Sequence, residues 1–469
     1  MPDIIATPEG GFDMHFPVIV IGAGGTGLCA ALAAADAGVE VLVIERDSTP
    51  LGSTAMSTGL IPAAGTPEQA EAGIDDSPER FVADILKKTG GRTDPDLAAL
   101  MARESAETIR WLRDDHAVAL ALMDGWLYPG HSAKRMYGTP NRTGGELMAG
   151  LEQAAAGAGI PILTDATVDG LYVDGQRITG VAASRPGGER EAIGCDALIL
   201  ACSGFGGNAE LVARYIPEMA GAFYHGHPGN RGDALAWGEA LGAEIADIAA
   251  YQGHGGLAAG HGVPILWPTI MEGGFQVNLE GRRFSNEASG YSEQAALVNA
   301  QPQGLAWTVF DQRCHDLMNN FDDYRDALRA GAIVSADSEA ELAERTRLPA
   351  DVLAETFAQV RQATLGEAAD PFARDFTGKP VLAGPYHAAK VTGALFHTQG
   401  GLAIDDDARV RRGDGGVLPN LFAGGGAARG ISGDGASGYL AGNGLLAATT
   451  LGRIAGAAAA ALTKSAATA

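Results

Sequence analysis

Hydrophobic positions near the start of the chain fall into short runs separated by glycine turns. Residues 17–21, Pro-Val-Ile-Val-Ile, form an unbroken β-branched run, the pattern of a strand buried on both faces. Residues 28–37 are small, apolar and of helical length, and residues 39–44 form a second buried run that ends in Glu45. Between the first strand and the helix lies Gly22-Ala23-Gly24-Gly25-Thr26-Gly27. Strand, glycine turn, helix and strand make a βαβ unit, and the acid follows the last glycine by 18 residues, so the GxGxxG spacing has the context of a dinucleotide site. Gly22 allows the turn, Gly24 lets backbone approach a pyrophosphate, and Gly27 lets helix and sheet pack closely. The helix N-terminus then faces the phosphates. Glu45 can accept hydrogen bonds from both hydroxyls of an adenosine ribose and disfavours a 2′-phosphate. The alternative is a glycine turn without a ligand.

Helical spacing of charged and apolar residues over 75–115 predicts connecting helices, and 160–173 and 178–183 read as β-rich. Residues 195–210 repeat strand, glycine turn and helix, and Asn230-Arg231-Gly232-Asp233 opens another helix. The character then changes to glycine-rich turns and charged helices, with Ser335-Ala-Asp-Ser-Glu-Ala-Glu-Leu as a capped start. Strand, glycine loop and helix return near 420–456. This order predicts an α/β protein: a discontinuous doubly wound (Rossmann-like) domain over 1–245 and 385–469, with an α+β domain inserted over 246–384.

Composition narrows the function. The formal charge of −24 repels nucleic acid and anionic lipid, so neither is an expected partner. The 67 glycines among 469 residues have no three-residue period, which excludes collagen. Cys29, Cys195, Cys202 and Cys314 lack CxxC spacing and fit buried, reduced thiols. His225 and His227 have a ligand-like spacing but no supporting carboxylate or thiol cluster, so no metal is expected. Asp3, Glu9 and Asp13 stand where a secretory signal is basic, and the apolar stretch 454–462 is too short to span a bilayer. The expectation is a soluble, cytoplasmic enzyme with no stable membrane insertion.

Six segments in order carry a resemblance: GAGGTG…ER, LGSTAMSTG at 51–59, ACSGFGGN with NRGDAL, EGRRFSNE at 280–287, FHTQGGLAID at 396–405 and GASGYLAGNGL at 435–445. They resemble the fumarate reductase/succinate dehydrogenase flavoprotein superfamily, which includes ketosteroid dehydrogenases. The resemblance implies FAD, a capping domain, and cofactor contacts at Gly22, Gly24, Gly25, Thr26, Gly27, Glu45, Arg46, Ser53, Thr54, Ser57 and Gly59. Further along it adds Val168, Ala201, Gly204, Asn208, Asp233, His397, Gly425, Gly442, Asn443 and Leu445. Covalently flavinylated members use a histidine in the segment matching 51–59, where this chain has none, so the FAD is expected to be noncovalent. The single fingerprint leaves no separate NAD site.

Fumarate-type members bind a dicarboxylate with two arginines and two histidines. His254 matches one histidine; Tyr291 and Tyr439 stand at the arginine positions and Phe396 at the other histidine. Burying a dianion beside phenols leaves charge uncompensated. Ketosteroid dehydrogenases place a tyrosine base in the segment of Tyr291, which implies an FAD-dependent desaturase of a cyclic ketone. Tyr128 is a candidate helper, Tyr439 with the backbone at Gly435 a candidate enolate holder, and His131 with Arg135 either binds a substrate carboxylate or belongs to a solvated loop. Tyr291, Tyr439, Tyr128 and His254 are thus the catalytic candidates, and Phe396, His131 and Gly435 the substrate-binding ones. Competing readings are the reverse reaction, reduction of an enone or fumarate-like acceptor, and a flavin-binding subunit without turnover.

Overall fold

The computed structural model describes residues 3–125, 127–188 and 190–468. They divide into two units: 1–211, 226–251 and 397–469 form the first, and 212–225 with 252–396 the second. The segments 212–225 and 385–396, which the sequence pattern assigns to the dinucleotide domain, pack with the second unit, and 246–251, assigned to the inserted domain, packs with the first.

The first unit is built on a nine-stranded sheet. Met14–Ile21 lies between Arg190–Leu200 and Val41–Ile44, parallel to both, and Val417–Ala423 pairs parallel to the far side of Arg190–Leu200. Alternation along these strands explains the double winding. Ile19, Ile21, Leu42 and Ile44 enter one apolar cluster with Phe81, Ile85 and the helix Pro95–Arg110. Val18, Val20, Val41 and Val43 enter another with the helix Gly25–Asp36, the helix Gly144–Gly157 and Ala455 and Ala459 of the last helix. Both faces are therefore buried, as uninterrupted Val/Ile runs require.

The first helix begins at Gly25, inside the glycine turn, and its preceding strand begins at Met14, three residues before the expected start. Asn443–Thr468 is one helix of 26 residues, far longer than the stretch read from sequence. By length and composition it can cross a membrane, and 61% of its apolar window is buried. Its glycines face the first helix so closely that a Cβ at Gly456 would collide with the carbonyl of Ala30 at 2.0 Å.

The second unit holds a six-stranded sheet in which Tyr386–Thr398 pairs with Phe223–Tyr224, Leu305–Asp311, Ile333–Ala336 and Tyr251–Ala258. Ser338 caps the helix Glu339–Thr346 by accepting from the Glu341 N–H, as its sequence predicts. That helix and Ala350–Leu365 supply Leu342, Leu353 and Phe357 to a core completed by Phe275, Val277 and Val309 of the sheet.

Candidate active site

In the first unit the glycine turn is stereochemically fixed. Gly22 has φ +101°, and a Cβ on Gly27 would lie 1.8 Å from the Gly22 carbonyl oxygen. Glu45 Oε2 accepts from the Ala23 N–H at 2.7 Å and Oε1 from the Asp47 N–H at 3.0 Å, so the carboxylate is braced before it meets any ribose. Thr54 Oγ1 accepts from the Gly25 N–H at 3.2 Å. Ser57 donates to the Thr54 carbonyl and accepts from Gly59 N–H, which shapes the 53–59 loop. Thr26 is buried and would meet a Cβ on Gly425, tying this turn to the late glycine loop.

Beyond Glu45, Arg46 donates to the Gly229 carbonyl at 2.8 Å and lies 3.3 Å from His227 Nδ1, and His227 pairs with Asp47 at 3.0 Å. Ser53 accepts from the Asn230 amide at 2.8 Å. Sequence reasoning missed His227 and Asn230, whose partners are more than 170 residues away. Ala201 ends its strand by donating to the Ile21 carbonyl at 2.9 Å, and Gly204 lies against Thr398. Val168 is a buried core residue of the strand Thr167–Asp174. Asn208 Oδ1 accepts from the N–H groups of Glu210 and Leu211 and so caps the next helix, and its amide donates to the Arg231 carbonyl at 3.1 Å. Asp233 opens the helix Asp233–Ala240, and burial pushes its carboxyl above the usual range.

A second cluster gathers at the start of the last helix. Gln399 donates to His397 Nδ1 at 2.7 Å and accepts from Ser432 at 2.9 Å, and Asn443 reaches Ser432 at 3.4 Å. Burial holds His397 down at about 4, so the ring is neutral. Gly444 is required where it stands, because a Cβ there would lie 2.7 Å from the His397 ring. Burial raises the Tyr439 phenol above its ordinary value, against the opposing influence of the backbone at Gly442 and Gly444. Its ring meets that of His397 at 5.7 Å. Leu445 packs on the helical core face, and Gly435 is extended with open space where a Cβ would be. Tyr128 packs against Leu60, Met136 and Ala441, and burial raises its phenol too.

His131 and Arg135 are not solvated loop residues. Both are buried; Arg135 is paired with Asp76 and Asp84, and both ring nitrogens of His131 are engaged, with Arg135 and with the Ala441 carbonyl. A carboxylate ligand would have to displace Asp76 or Asp84.

These features fit FAD. The helix Gly25–Asp36 has glycine at its N-cap and no acid in its first turn, so that beyond the Gly25 N–H taken by Thr54 its N-terminus is left open to phosphate. A Cβ on Gly24 would approach only Thr54 Oγ1, at 4.0 Å, so the chain itself leaves that backbone uncovered. Asn443 Oδ1 is buried without a partner, an acceptor suited to the ring N–H of an isoalloxazine.

The second unit assembles rings. His254 stacks on Phe396 at 5.2 Å with planes 14° apart, and lies 5.4 Å from the Tyr291 ring and 5.8 Å from Trp267. Phe396 also meets His225 at 4.8 Å, so His225 serves this stack while His227 belongs to the first unit. The Gly256 N–H donates to His254 Nδ1 at 3.0 Å, which puts the ring proton on Nε2. Burial, with His225 nearby, pushes His254 down to about 3. Buried arginines of this unit are committed elsewhere: Arg283 and Arg374 both bind Glu287. Trp267 gave no sign in the sequence, and His225 drew notice only for its spacing to His227, not for a place in this stack.

Fold and first-unit geometry define a flavin-dependent oxidoreductase. A family model described as FAD binding domain matches residues 17–445, and the chain belongs to that family. It is 29% identical over 435 residues to the NADH:fumarate oxidoreductase of Klebsiella pneumoniae, covering 92% of this chain and 46% of that protein. The chain thus spans about half the length of that relative. It is 27% identical over 534 residues to the 3-oxosteroid 1-dehydrogenase of Mycobacterium tuberculosis, covering 88% of this chain and 92% of that protein. The solved open conformation of a flavocytochrome c3 fumarate reductase matches with a TM-score of 0.83 and 26% identity, over 97% of this chain and 79% of that one.

Proposed function

We propose that the chain introduces an α,β double bond beside the carbonyl of a cyclic ketone. The substrate class is an alicyclic keto acid such as 4-oxocyclohexanecarboxylate, or a 3-ketosteroid, and electrons pass on to oxygen, a quinone or a protein carrier. The observation that carries this reading is the ring cluster of the second unit, where Tyr291 stands at a guanidinium position beside a neutral His254 and an apolar Phe396. Bound FAD supplies the two-electron acceptor for the β-hydride. Tyr291 removes the α-proton. His254, with its proton on Nε2, offers an N–H to an oxygen without bringing a charge that would select a dicarboxylate. Tyr439 and Tyr128 are kept protonated by burial, so each is assigned as a hydroxyl donor and not a base.

An anaerobic bleaching screen over saturated cyclic ketones, keto acids, steroids and succinate tests this. Bleaching by a cyclic ketone and not by succinate is the expected result; bleaching by succinate alone overturns it. The relative named as a fumarate oxidoreductase favours a second reading, the reverse reaction. Reoxidation of the reduced protein by an enone, with no bleaching by the saturated ketone, would select that reading. A flavin unchanged by either class would leave only a binding subunit.

A further inference from the structure

One buried polar network of the second unit has no place in the chemistry above. In the strand Phe275–Asn278, Phe275 and Val277 enter the apolar core, while Gln276 alternates to the other face and is wholly buried. Leucine would fill that place without desolvating an amide, so a buried glutamine calls for a reason beyond stability.

Its contacts run to the elements that carry His254 and Tyr291. Gln276 Nε2 donates to the Gly255 carbonyl at 2.8 Å and to Thr308 Oγ1 at 3.0 Å, and its Oε1 accepts from Gln294 Nε2 at 2.9 Å. A carbonyl only accepts, so the Gln276 amide has one orientation. Gln294 is held in turn by Ser285, whose Oγ accepts from Nε2 at 2.7 Å and donates to Oε1 at 2.9 Å. Gln294 and Ser292 belong to the helix Tyr291–Asn299, and Ser292 Oγ accepts from the Gly253 N–H at 2.9 Å. The helix that begins with Tyr291 therefore holds the chain on both sides of His254: directly at Gly253, and through Gln276 at Gly255.

The Gly255 carbonyl and the Gly256 N–H belong to one planar trans peptide and point in opposite directions. The Gly256 N–H is the donor to His254 Nδ1 at 3.0 Å. Glycine on both sides of this peptide leaves it free to rotate. A Cβ on Gly255 would lie 2.7 Å from Gln294 Cβ, so no stiffer residue fits there. Restraint has to come from neighbouring groups, and Gln276 supplies it at the carbonyl.

We propose that Gln276 is a positioning residue: held by Gln294 and Thr308, it grips the Gly255 carbonyl and so turns the Gly256 N–H onto His254 Nδ1, which keeps the ring proton on Nε2. The functional part rests on His254 acting as the Nε2–H donor of the proposed reaction; the geometric part does not.

The probe is the 15N–15N coupling across the hydrogen bond from the Gly256 N–H to Nδ1. It is measured on 15N-labelled holoenzyme, with the ring signals of His254 identified by their loss in His254→Gln. Wild type should show the coupling. Gln276→Met keeps the length of the side chain but removes the donor, and the coupling should be lost. Thr308→Val removes a polar partner of the same buried network without touching Gly255, and the coupling should remain. With a ketone that bleaches the wild type, Gln276→Met should lower kcat about tenfold, the worth of one hydrogen bond, with little change in KM. No coupling in wild type, a coupling unchanged in Gln276→Met, or one lost equally in Thr308→Val overturns the proposal. A coupling lost while kcat holds overturns its functional part. If Gln276→Met does not fold, Gln276→Asn, one methylene too short to reach Gly255, is judged by the same rule. Failure of every ketone in the bleaching screen would remove the proposed reaction and leave the coupling to judge the peptide.

Discussion

Replacing Tyr291 by phenylalanine separates a base from a packing ring. Tyr291 is the first residue of the helix Tyr291–Asn299, and its ring lies 5.4 Å from that of His254 and 6.1 Å from that of Trp267. Phenylalanine keeps both ring pairs, each worth roughly 0.5–1.5 kcal/mol, and loses only the hydroxyl, about 1 kcal/mol of hydrogen bonding. For a chain of this size that lowers the melting temperature by no more than about 4 °C. Loss of a positioned base costs far more, roughly 10²–10⁴-fold in turnover, or about 3–5 kcal/mol of barrier. The assay is anaerobic stopped-flow reduction of the flavin by the ketone that bleaches the wild type, with FAD content and melting measured on the same preparation. Tyr291→Phe should hold its FAD, melt within a few degrees of wild type and be reduced at least about a hundredfold more slowly. Reduction within about fivefold of wild type would refute the assignment, because five is less than the cost of one hydrogen bond. Tyr439 would not then inherit the role of base, since burial keeps its phenol protonated.

Gly24→Ala should fold but bind FAD at least about tenfold more weakly by fluorescence titration, whereas Gly27→Ala should not yield folded protein, because its Cβ would sit 1.8 Å from the Gly22 carbonyl oxygen. Acid precipitation should release the yellow colour into the supernatant, since residues 51–59 contain no histidine; colour retained in the pellet would show a covalent bond. Burial holds His254 at about 3 and His131 and His397 at about 4, below the unfolded value near 6.5. The unfolded chain therefore binds more protons between about 4 and 6.5, and stability should fall as pH drops through that window, by up to about 1.4 kcal/mol per pH unit for each histidine. Urea midpoints at pH 5 and 6.5 check this, and His254→Gln should lessen the difference by one histidine's share while the others keep theirs.

The glycine turn was legible because the demands on Gly22 and Gly27 come from the backbone itself: a positive φ in one, a carbonyl contact in the other. Neither needs a distant partner, so spacing alone carries the information. Where the helix begins was not legible. Glycine resists helix, yet Gly25 starts one because Thr54, 29 residues on, receives its N–H. Asn208 shows another case: an Asn just before a helix was already a capping signal, and its Oδ1 does cap the next helix, while its amide makes a contact the sequence did not announce, to the Arg231 carbonyl.

The site residues divide along the same line. Arg135 in a Gly/Pro-rich segment reads as exposed until Asp76 and Asp84, more than 50 residues earlier, are brought to it. Charge in a sequence says nothing of burial when the counterions are remote. Tyr291, His254 and Phe396 could be found because a resemblance aligned them with positions that hold charged or hydrogen-bonding groups in other members. Trp267 and His225 complete the same stack from segments outside the six that carry the resemblance, and only the folding of strands 251–258 and 386–398 with the helix at 291 brings them together. The resemblance pointed to positions where other members are expected to carry charge, and at Tyr291, His254 and Phe396 the structure has neighbouring rings around an imidazole that carries a proton but no charge. Under the proposed reaction, an oxygen entering this cluster would meet the Nε2–H of a neutral His254, which suits a carbonyl better than a dianion.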